Sequence, residues 1–535
     1  MPLSDSAAPD VAALVRSAAL DHPDRLAVVE AGGRGLTWSE LDDEVARLAS
    51  GLGTAGILAG HRVVIAMGNR IEFVTTYLGV LRAQAVAVPV NPGSTVTELA
   101  AMLVDSGARA VVVDPDTVAR AREAVARTEV VAAARDEGRP LPRLVVVGAD
   151  AAASSEMSYD DLRAVEARPV PPLPDPEKLA VLLYTSGTSG RPRAAMLTHR
   201  ALLANVDQVA TVQPPMISPD DVVLGVLPLF HVYGLGAVLG GVLRHRAKLV
   251  LADRFDPEGT LDLIEDEACS VVPVAPPVFA AWRHVDALAE RLGPVRMVLS
   301  GSAPLAAEVV EEFTELARVP IHQGYGLTEA APVVTTTLLS AGAKPGSVGA
   351  ALEGIDVRLV DDDGRPLEGA EADDAGEIQI RGRNLFSGYW PDGADGPGED
   401  GWWSTGDVGF LDPDGDLYLV DRVKELVIVS GFNVYPTEVE AVLAEVEGVK
   451  QVAVLGTPDE HTGEAVVAYV VPVDAAADAD ALVAAVDALA EERLAPYKRP
   501  QRVDVVEALP RTVTGKIRKG MLRGYERRKA LGILE

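Results

Sequence analysis

The 535-residue sequence has only one cysteine, Cys269. A lone cysteine excludes an internal disulfide framework and a cysteine-cluster metal site, and it fits a reducing cytosol. No apolar segment reaches the ~18 residues that span a bilayer, and no secretory signal follows Met1. Basic residues are scarce, 48 against 79 acidic ones, and the net charge of −31 argues against binding to nucleic acid or anionic membranes. We therefore expect a soluble cytoplasmic protein with no transmembrane segment.

Apolar residues, in contrast, make up 48% of the chain. Short β-branched runs such as 62–66, 110–113 and 181–184 alternate with longer segments of helical spacing such as 71–84. This alternation predicts an α/β fold with doubly wound, largely parallel sheets and helices on both faces. Gly/Asp-rich turns after about residue 345 predict a β-rich subdomain.

The chain is too long for one compact core, so two or more domains are expected. We assign residues 1–421 to a large N-terminal domain and residues 422–535 to a small α+β domain. In the second domain, strand-like runs at 452–455 and 465–471 precede an Ala-rich helical pattern at 478–494.

The strongest local signal is the segment 184–193, Tyr-Thr-Ser-Gly-Thr-Ser-Gly-Arg-Pro-Arg, which follows a strand-like run. Its glycines let backbone N–H groups approach an anion, its hydroxyls donate hydrogen bonds, and its arginines supply charge. These are the components of a phosphate-binding loop. The spacing differs from that of a Walker loop, so a Walker-type nucleotidase is not indicated.

Seven further motifs follow in order, namely PLFHVYG at 228–234, SGSAP at 300–304, QGYGLTE at 323–329, GEI at 376–378, STGD at 404–407, DRVK at 421–424 and PRTVTGK at 510–516. Together with the loop they resemble the ANL superfamily of adenylate-forming enzymes over nearly the whole chain. The segment SGFNVYP at 430–436 looks most like that of fatty-acyl or aryl acid–CoA ligases.

The resemblance implies the ANL fold and a two-step reaction. A carboxylate attacks the α-phosphate of ATP to give acyl-AMP and pyrophosphate, and the thiol of coenzyme A then displaces AMP. The implied cofactors are ATP, Mg²⁺ and coenzyme A, and the implied partner is a small carboxylic acid. A homodimer is left open.

The resemblance also implies roles for individual residues. Glu329 matches the magnesium carboxylate, with Thr188 as a second metal contact, and Thr328 matches a hydroxyl that contacts the α-phosphate. Tyr325 would stack on adenine, and Asp407 would accept hydrogen bonds from the ribose hydroxyls. The implied ATP-binding residues are Thr185, Ser186, Gly187, Thr188, Ser189, Arg193, Gly301, Ser302, Ala303, Gln323, Gly324, Tyr325, Gly326, Thr328, Asp407, Arg422 and Lys516.

The implied catalytic residues are Lys516, Thr328, Glu329 and His231. Lys516 matches the lysine that bridges the acyl carboxylate and the phosphate oxygens, and His231 would stand at the carboxylate end of the acyl pocket. Lys424 occupies the hinge position, about which the C-terminal domain would swing between the two half-reactions. The implied coenzyme A contacts are Arg254, Ser430 and Gly431.

The sequence departs from the family pattern where the phosphate loop ends. A lysine is usual at the position of Arg193, and a glycine is usual at Ala194. The guanidinium keeps the charge but is planar and bulkier, and alanine loses the access to positive φ. We expect altered loop mobility or ATP affinity without loss of activity.

The residues that are expected to line the acyl pocket are small or apolar, with no cation that could pair a second carboxylate, so a dicarboxylate is disfavoured. We expect a medium- or long-chain fatty acid, with an aryl acid of the cinnamate type as the alternative. Two further alternatives are an acyl-AMP ligase that loads a carrier protein and a nucleotide-binding protein that has lost catalysis. The expected pocket residues are Val232, Tyr233, Gly234, Ala275, Gly301, Gly324, Ala331 and Pro332.

Overall fold

A computed structural model describes most of the chain. The described residues are 8–148, 156–171, 173, 175–185, 193–303, 305, 307–342, 344–361, 363–367, 375–422, 425, 427–429, 432–459, 462–476, 478–494, 496–512 and 515–530.

Strands and helices alternate through the first part of the chain, as the sequence predicts. In chain order they are α1 (Ala13–Asp21), β1 (Leu26–Glu30), β2 (Gly35–Thr37), α2 (Trp38–Thr54), β3 (Arg62–Ala66), α3 (Ile71–Arg82), β4 (Val86–Pro89), α4 (Val96–Ser106), β5 (Ala110–Val113), α5 (Val118–Val125), α6 (Thr128–Asp136), β6 (Arg143–Val146), β7 (Glu156–Ser158), α7 (Tyr159–Arg163), β8 (Leu179–Thr185), β9 (Arg193–Thr198) and α8 (His199–Ala210).

The alternation continues to residue 323. The elements are β10 (Val222–Gly225), a π-helix (Tyr233–Gly240), α9 (Gly241–His245), β11 (Lys248–Leu251), α10 (Pro257–Glu267), β12 (Val271–Val274), α11 (Pro276–Trp282), α12 (Leu288–Arg291), β13 (Met297–Ser300), α13 (Ala307–Ala317) and β14 (Ile321–Gln323).

These elements form two seven-stranded sheets, β7-β6-β5-β3-β4-β8-β9 and β14-β13-β12-β10-β11-β1-β2. Neighbouring strands are parallel except in the edge pairs β8–β9 and β1–β2, which are antiparallel. Both faces of the first sheet are covered, since Val63 and Ile65 of β3 join one apolar cluster while Val64 and Ala66 join another. Alternate residues of a strand point to opposite faces, so a strand buried on both sides is apolar throughout. The predicted α/β class with largely parallel sheets is confirmed.

The next segment is rich in strands, as the turn-rich sequence predicts. It contains a 3₁₀ helix (Thr328–Ala330), β15 (Thr335–Thr336), a second 3₁₀ helix (Thr337–Leu339), β16 (Ser347–Ala351), β17 (Ile355–Val360), β18 (Gly376–Gly382), β19 (Trp403–Leu411) and β20 (Asp416–Arg422). The strands form one six-stranded sheet in the order β15-β16-β20-β19-β18-β17, and each described pairing in it is antiparallel.

A charge cluster stabilises one end of this sheet. The ammonium of Lys344 lies 2.7 Å from Asp412, 2.8 Å from Asp414 and 2.7 Å from Asp416. The three carboxylates raise the pKa of Lys344 above its usual value through hydrogen bonds and charge. The cluster joins the turn between β19 and β20 to the segment before β16.

The last part of the chain forms a small α+β unit with apolar clusters of its own, which begin at Val427. Its elements are β21 (Val427–Val429), β22 (Phe432–Val434), α14 (Pro436–Ala444), β23 (Val449–Asp459), β24 (Gly463–Pro472), α15 (Ala479–Arg493), a 3₁₀ helix (Pro496–Lys498), β25 (Arg502–Val505) and α16 (Lys519–Ala530). The boundary between 421 and 422 stays a prediction, and the predicted hinge residue Lys424 lies outside the described residues.

No helix in the described part of the chain combines the length and the apolar character needed to cross a membrane.

Candidate active site

The predicted site residues follow the carboxyl ends of strands in both large sheets. Thr185 ends β8, Ala275 follows β12, Gly301 follows β13 and Gln323 ends β14. In open α/β sheets this edge is where ligands bind. The predicted phosphate loop is the connection of the β8–β9 hairpin, in which Thr185 pairs with Arg193.

Glu329 lies in a short 3₁₀ helix and is 8% exposed. The hydroxyl of Tyr389 donates a hydrogen bond to its Oε1 at 2.6 Å, and the backbone N–H of Phe386 donates to its carbonyl oxygen at 2.9 Å. Burial, followed by the charge of Glu329, raises the pKa of Tyr389 above its usual value. Tyr389 therefore stays protonated and able to donate.

Arg193 also contacts Tyr389. Its guanidinium carbon lies 3.8 Å from the centroid of the Tyr389 ring, and its Nη2 lies 2.7 Å from Asp395. Ala194, the second departure from the family pattern, is buried in β9 and pairs with Tyr184. Extended backbone at Ala194 needs no glycine, so the expected effect of losing positive φ there has no basis in the structure.

Tyr325 and Asp407 are joined directly, since the Tyr325 hydroxyl donates to Oδ2 of Asp407 at 2.6 Å. Both residues are 8% exposed. Gly324 and Gly326 let the backbone pass close to neighbours, because added Cβ atoms would lie 2.8 Å from the Thr335 oxygen and 2.3 Å from the Pro332 oxygen, respectively. The β19–β20 register pairs the backbone of Asp407 with that of Arg422. The adenine and ribose roles stay predictions.

The fold brings Lys516, near the C-terminal end of the chain, close enough to His231, near its middle, for the charge of Lys516 to act on the imidazole. Burial, with a further contribution from the positive charge of Lys516, lowers the pKa of His231 to about 4. His231 is therefore neutral at physiological pH. The Lys516 side chain itself is exposed.

The loop that carries Lys516 contacts the N-terminal part where Gly515 meets Pro277. Gly515 has a φ of +83°. A Cβ atom added to Gly515 would lie 2.3 Å from Cγ of Pro277 at the start of α11. Glycine is required there for both reasons, since only it adopts this backbone without strain and leaves room for the proline ring.

Residues that are predicted to line the acyl pocket lie in close contact with one another. A Cβ atom added to Gly301 would lie 2.7 Å from Cε1 of Tyr233, whose hydroxyl donates to the Leu299 oxygen at 3.2 Å. Ser302 and Ala331, both beside this wall, have φ values of +73° and +68°. Left-handed backbone at residues other than glycine is strained and is concentrated at functional sites, so the two residues support the placement of a site here.

The structure shows no side-chain contact at the site for several of the other predicted residues. Arg254 follows β11 with its side chain 86% exposed, and the backbone of Arg422 is described without its side chain. Seven predicted residues lie outside the described part of the chain, namely Ser186, Gly187, Thr188, Ser189, Lys424, Ser430 and Gly431.

Three features of the site were missed from the sequence: Tyr389, Asp395 and the contact of Pro277 with Gly515. A weak signal existed for the first two, since the segment 387–396, SGYWPDGADG, concentrates turn residues around two aromatic ones. Nothing in the sequence indicates the contact of Pro277, because it depends on the approach of Gly515 from more than two hundred residues away.

The buried carboxylate Glu329 fits an Mg²⁺ ion that is held mainly by substrate phosphates. Mg²⁺ keeps several waters and takes only one or two protein carboxylates. Among the described residues no group of three or more His, Cys, Asp or Glu could hold an ion alone. When bound, Mg²⁺ neutralises charge on the transferring phosphoryl group.

The structure combines a hairpin at the predicted phosphate loop, a buried carboxyl group at Glu329 and a C-terminal lysine near His231, as expected for the class of adenylate-forming enzymes. Comparison with known sequences agrees. The AMP-binding enzyme family matches residues 15–390, and the AMP-binding enzyme C-terminal domain matches residues 438–516. The chain belongs to the AMP-binding enzyme family, within the ANL superfamily.

Relatives of known activity cover almost the whole chain. A long-chain-fatty-acid–CoA ligase of Bacillus subtilis is 32% identical over 94% of this chain and 92% of its own. A feruloyl-CoA synthase of an Amycolatopsis species is 36% identical over 92% and 95%. The chain is thus an enzyme with acyl- or aryl-acid–CoA ligase activity that uses ATP, Mg²⁺ and coenzyme A.

One solved relative is known in two states. MatB from Rhodopseudomonas palustris is 31% identical to this chain. Its ATP-bound structure covers 96% of this chain and 98% of its own with a TM-score of 0.84. Its apo structure covers 97% and 99% with a TM-score of 0.74. These similarities confirm the predicted fold of a large α/β part with a smaller C-terminal part.

Proposed function

We propose that the enzyme converts an apolar monocarboxylic acid, first of all a medium- or long-chain fatty acid, to its coenzyme A thioester. The uncharged pocket wall is the observation that carries this proposal. Val232, Ala275 and Ala331 are buried, and every predicted wall residue is uncharged. A second carboxylate on the substrate would lose its water there without gaining a cationic partner.

In the first step, a carboxylate oxygen of the acid bonds to the α-phosphorus of ATP as the bond from that phosphorus to pyrophosphate breaks. Two anions must meet, so cationic groups have to act where charge builds up. Lys516, which approaches His231, is the residue we assign to this task. His231 contributes a neutral ring at the carboxylate end of the acyl pocket, because its pKa is lowered to about 4.

In the second step, the sulfur of coenzyme A bonds to the acyl carbon, AMP leaves with its oxygen, and the thiol proton passes to solvent. We propose that Lys516 has withdrawn by then, because the C-terminal part rotates about the predicted hinge near Lys424. This hinge follows the predicted boundary between residues 421 and 422. The arrangement described above is the adenylating one in this proposal. It is supported by the contact of Gly515 with Pro277 and by the greater similarity to the ATP-bound than to the apo MatB structure.

An aryl acid is the second candidate, and Tyr233 favours it. The half-buried ring is fixed against Gly301 and through its hydroxyl, so it offers a flat, rigid wall. Behind the π-helix lies a cavity of only about 10 Å³, bordered by residues that include Leu235, Gly236 and Gly240. A long alkyl tail that passed this way would have to displace side chains, whereas a ring that stacked on Tyr233 would not.

A panel of acids tests the proposal by the rate of AMP release with coenzyme A present. The panel holds short-, medium- and long-chain fatty acids, cinnamates and a dicarboxylate. We expect kcat/KM for the best monocarboxylic acid to exceed that for the dicarboxylate by about 100-fold, because a buried unpaired charge is costly. A dicarboxylate as the best substrate would overturn the proposal.

The variant Tyr233→Ala separates the two candidates. It removes the flat wall and enlarges the pocket, so the ratio of fatty-acid to cinnamate kcat/KM should rise by about 10-fold if the ring stacks on aryl substrates. An unchanged ratio would remove the reason for the aryl candidate.

We also propose a cytoplasmic location, where ATP and coenzyme A are supplied, and cell fractionation tests it. A homodimer is proposed alongside, and light scattering would show it as twice the mass of the chain.

A further inference from the structure

We propose that Tyr389 is a positioning residue for Glu329 and that Arg193 and Asp395 act on Glu329 through Tyr389. This inference rests on the proposed use of Glu329 as the metal carboxylate. It differs from the expectation drawn from the sequence, in which Arg193 would contact ATP phosphate directly.

The first support is the way in which one loop surrounds Glu329. Tyr389 donates to the Glu329 carboxylate at 2.6 Å, and Phe386 donates from its backbone to the Glu329 carbonyl at 2.9 Å. Nδ2 of Asn384 donates to the carbonyl of the next residue, Ala330, at 2.7 Å. The side chain and the backbone of Glu329 are therefore held by the same segment, which limits how the carboxylate can turn.

The second support is that the other contacts of Tyr389 hold its ring in place. The Phe386 ring packs edge-on with its centroid 5.0 Å away, and the Arg193 guanidinium lies over the ring at 3.8 Å. Asp395 pairs with the same guanidinium at 2.7 Å. A planar guanidinium can stack on the ring and pair with a carboxylate at once, whereas a lysine ammonium cannot reproduce both contacts.

The third support is a backbone connection between the strand of Arg193 and the loop of Tyr389. The N–H of Trp390 donates to the Ala194 oxygen at 2.9 Å, and the N–H of Ser387 donates to the Met196 oxygen at 2.9 Å. Ala195 and Tyr389 form an antiparallel bridge. The loop thus runs as a short extra strand along β9, so Arg193 and Tyr389 are neighbours through the sheet itself.

A carboxylate whose orientation is fixed in advance binds a metal more tightly, because less freedom is lost on binding. Removal of partners that orient a metal ligand typically costs about 10- to 100-fold in metal affinity. The arginine that replaces the usual lysine in this chain then has a definite use. It holds the tyrosine that orients the metal carboxylate.

The experiment measures Mn²⁺ binding as a probe of the Mg²⁺ site, by electron paramagnetic resonance with the full chain and ATP present. Tyr389→Phe keeps the ring for Arg193 and removes only the hydroxyl. We expect the Kd for Mn²⁺ to rise by about 10-fold while the Kd for metal-free ATP stays unchanged. Tyr525→Phe, at a tyrosine that is 41% exposed, is the matched control and should change neither constant.

A double-mutant cycle tests whether Arg193 acts through Tyr389. Arg193→Lys and Asp395→Asn should each raise the Kd for Mn²⁺ by about 3-fold alone and have no further effect in the Tyr389→Phe background. If Arg193 contacted phosphate directly, Arg193→Gln, which removes the charge, would weaken metal-free ATP binding, and the effect of Arg193→Lys on the Kd for Mn²⁺ would multiply with that of Tyr389→Phe. That result, or an unchanged Kd in Tyr389→Phe, would overturn the inference.

The Mn²⁺ measurement distinguishes a failure of the inference from a folding defect and from a failure of the proposed function. Asp395 is exposed, so Asp395→Asn keeps the experiment informative even if Tyr389→Phe were poorly folded. A failure of every acid in the substrate panel would refute the proposed function without changing the Mn²⁺ measurement. Normal turnover with unaltered Mn²⁺ binding in the variants would refute the inference alone.

Discussion

The two sides of the cleft are constructed in opposite ways. On the N-terminal side, Tyr325, Glu329 and Asp407 are each 8% exposed and joined to partners by hydrogen bonds of 2.6 Å. On the C-terminal side, Lys516 is exposed, and its loop meets the N-terminal part where Gly515 passes Pro277. In the proposed function, the N-terminal side is fixed before substrate arrives, whereas the C-terminal side is delivered by rotation of the C-terminal part. Changes on the fixed side should weaken nucleotide binding, and changes on the delivered side should damage one half-reaction.

The largest effect is expected from Lys516→Ala. Loss of the ammonium removes the charge that acts on the two meeting anions, so acid-dependent ATP–pyrophosphate exchange should fall by about 1,000-fold. Thioester formation from supplied acyl-AMP should stay within about 3-fold of wild type, because the proposed function gives Lys516 no role in that step. Equal loss in both half-reactions would show that the lysine is not confined to one of them.

A somewhat smaller effect is expected from Gly515→Ala. The added methyl would collide with Pro277, and the φ of +83° would be strained. We expect pyrophosphate exchange to fall by about 10- to 100-fold, since displacement of a catalytic group by about 1 Å is enough for such a loss.

The matched control is Gly520→Ala, because a Cβ atom there would meet nothing within 4 Å. The control should keep full exchange activity, and both variants should form thioester from acyl-AMP. If Gly515→Ala exchanged normally, the contact with Pro277 would not be what places Lys516.

On the fixed side, Tyr325→Phe should act on nucleotide binding. The variant removes the hydroxyl that donates to the buried Asp407 carboxylate at 2.6 Å. Hydrogen bonds to charged groups are worth about 1.5–3 kcal/mol, so the Kd for AMP should rise by about 10-fold or more. Isothermal titration calorimetry measures it. Unaltered AMP affinity would mean that Asp407 is not oriented by Tyr325, and Tyr525→Phe serves again as the exposed control.

The smallest effect concerns the titration of His231. Its pKa is lowered to about 4, first by burial and then by Lys516, so Lys516→Ala should raise it only in part towards the usual value of about 6.5. Proton NMR of the imidazole follows the change. His245, whose pKa is also lowered to about 4 by burial and by charges other than Lys516, is the internal reference and should not move.

The lowered pKa of His231 also makes the stability of the folded protein depend on pH. A histidine whose folded pKa lies below its unfolded pKa binds its proton better in the unfolded chain. The stability that the neutral His231 contributes is therefore full above about pH 6.5 and is lost as the pH falls towards about 4. If the pKa of His231 were unchanged in Lys516→Ala, the Lys516 ammonium would lie too far from the imidazole to act on it.

The sequence predicted most of the architecture because its signals are local. The strand at Arg62–Ala66 and the helix that begins at Ile71 were expected within a few residues. Hydrophobic periodicity and the turn residues that bound each element are local features of the sequence. The β-rich segment was expected from its turns. The π-helix at Tyr233–Gly240 was not expected, because an apolar run rich in glycine indicates burial and not the way in which the backbone winds.

The site was predicted as a set of residues but not as a set of contacts. Ordered motifs named Glu329, Asp407 and Lys516, yet nothing local connects Glu329 with Tyr389, sixty residues further on. That contact depends on a loop that pairs with β9, and such pairing is decided by the tertiary fold. The same holds for Arg193, which the motif assigns to phosphate and the fold places on an aromatic ring.

The Lys344 cluster has a consequence for how the protein responds to its surroundings. A turn with three aspartates at alternate positions has the donor chemistry of a calcium-binding loop, but here the ammonium of Lys344 sits among the carboxylates. The β-rich segment thus carries its own counter-ion as part of the polypeptide. The integrity of this segment should therefore not depend on chelators or on the divalent-ion content of the buffer.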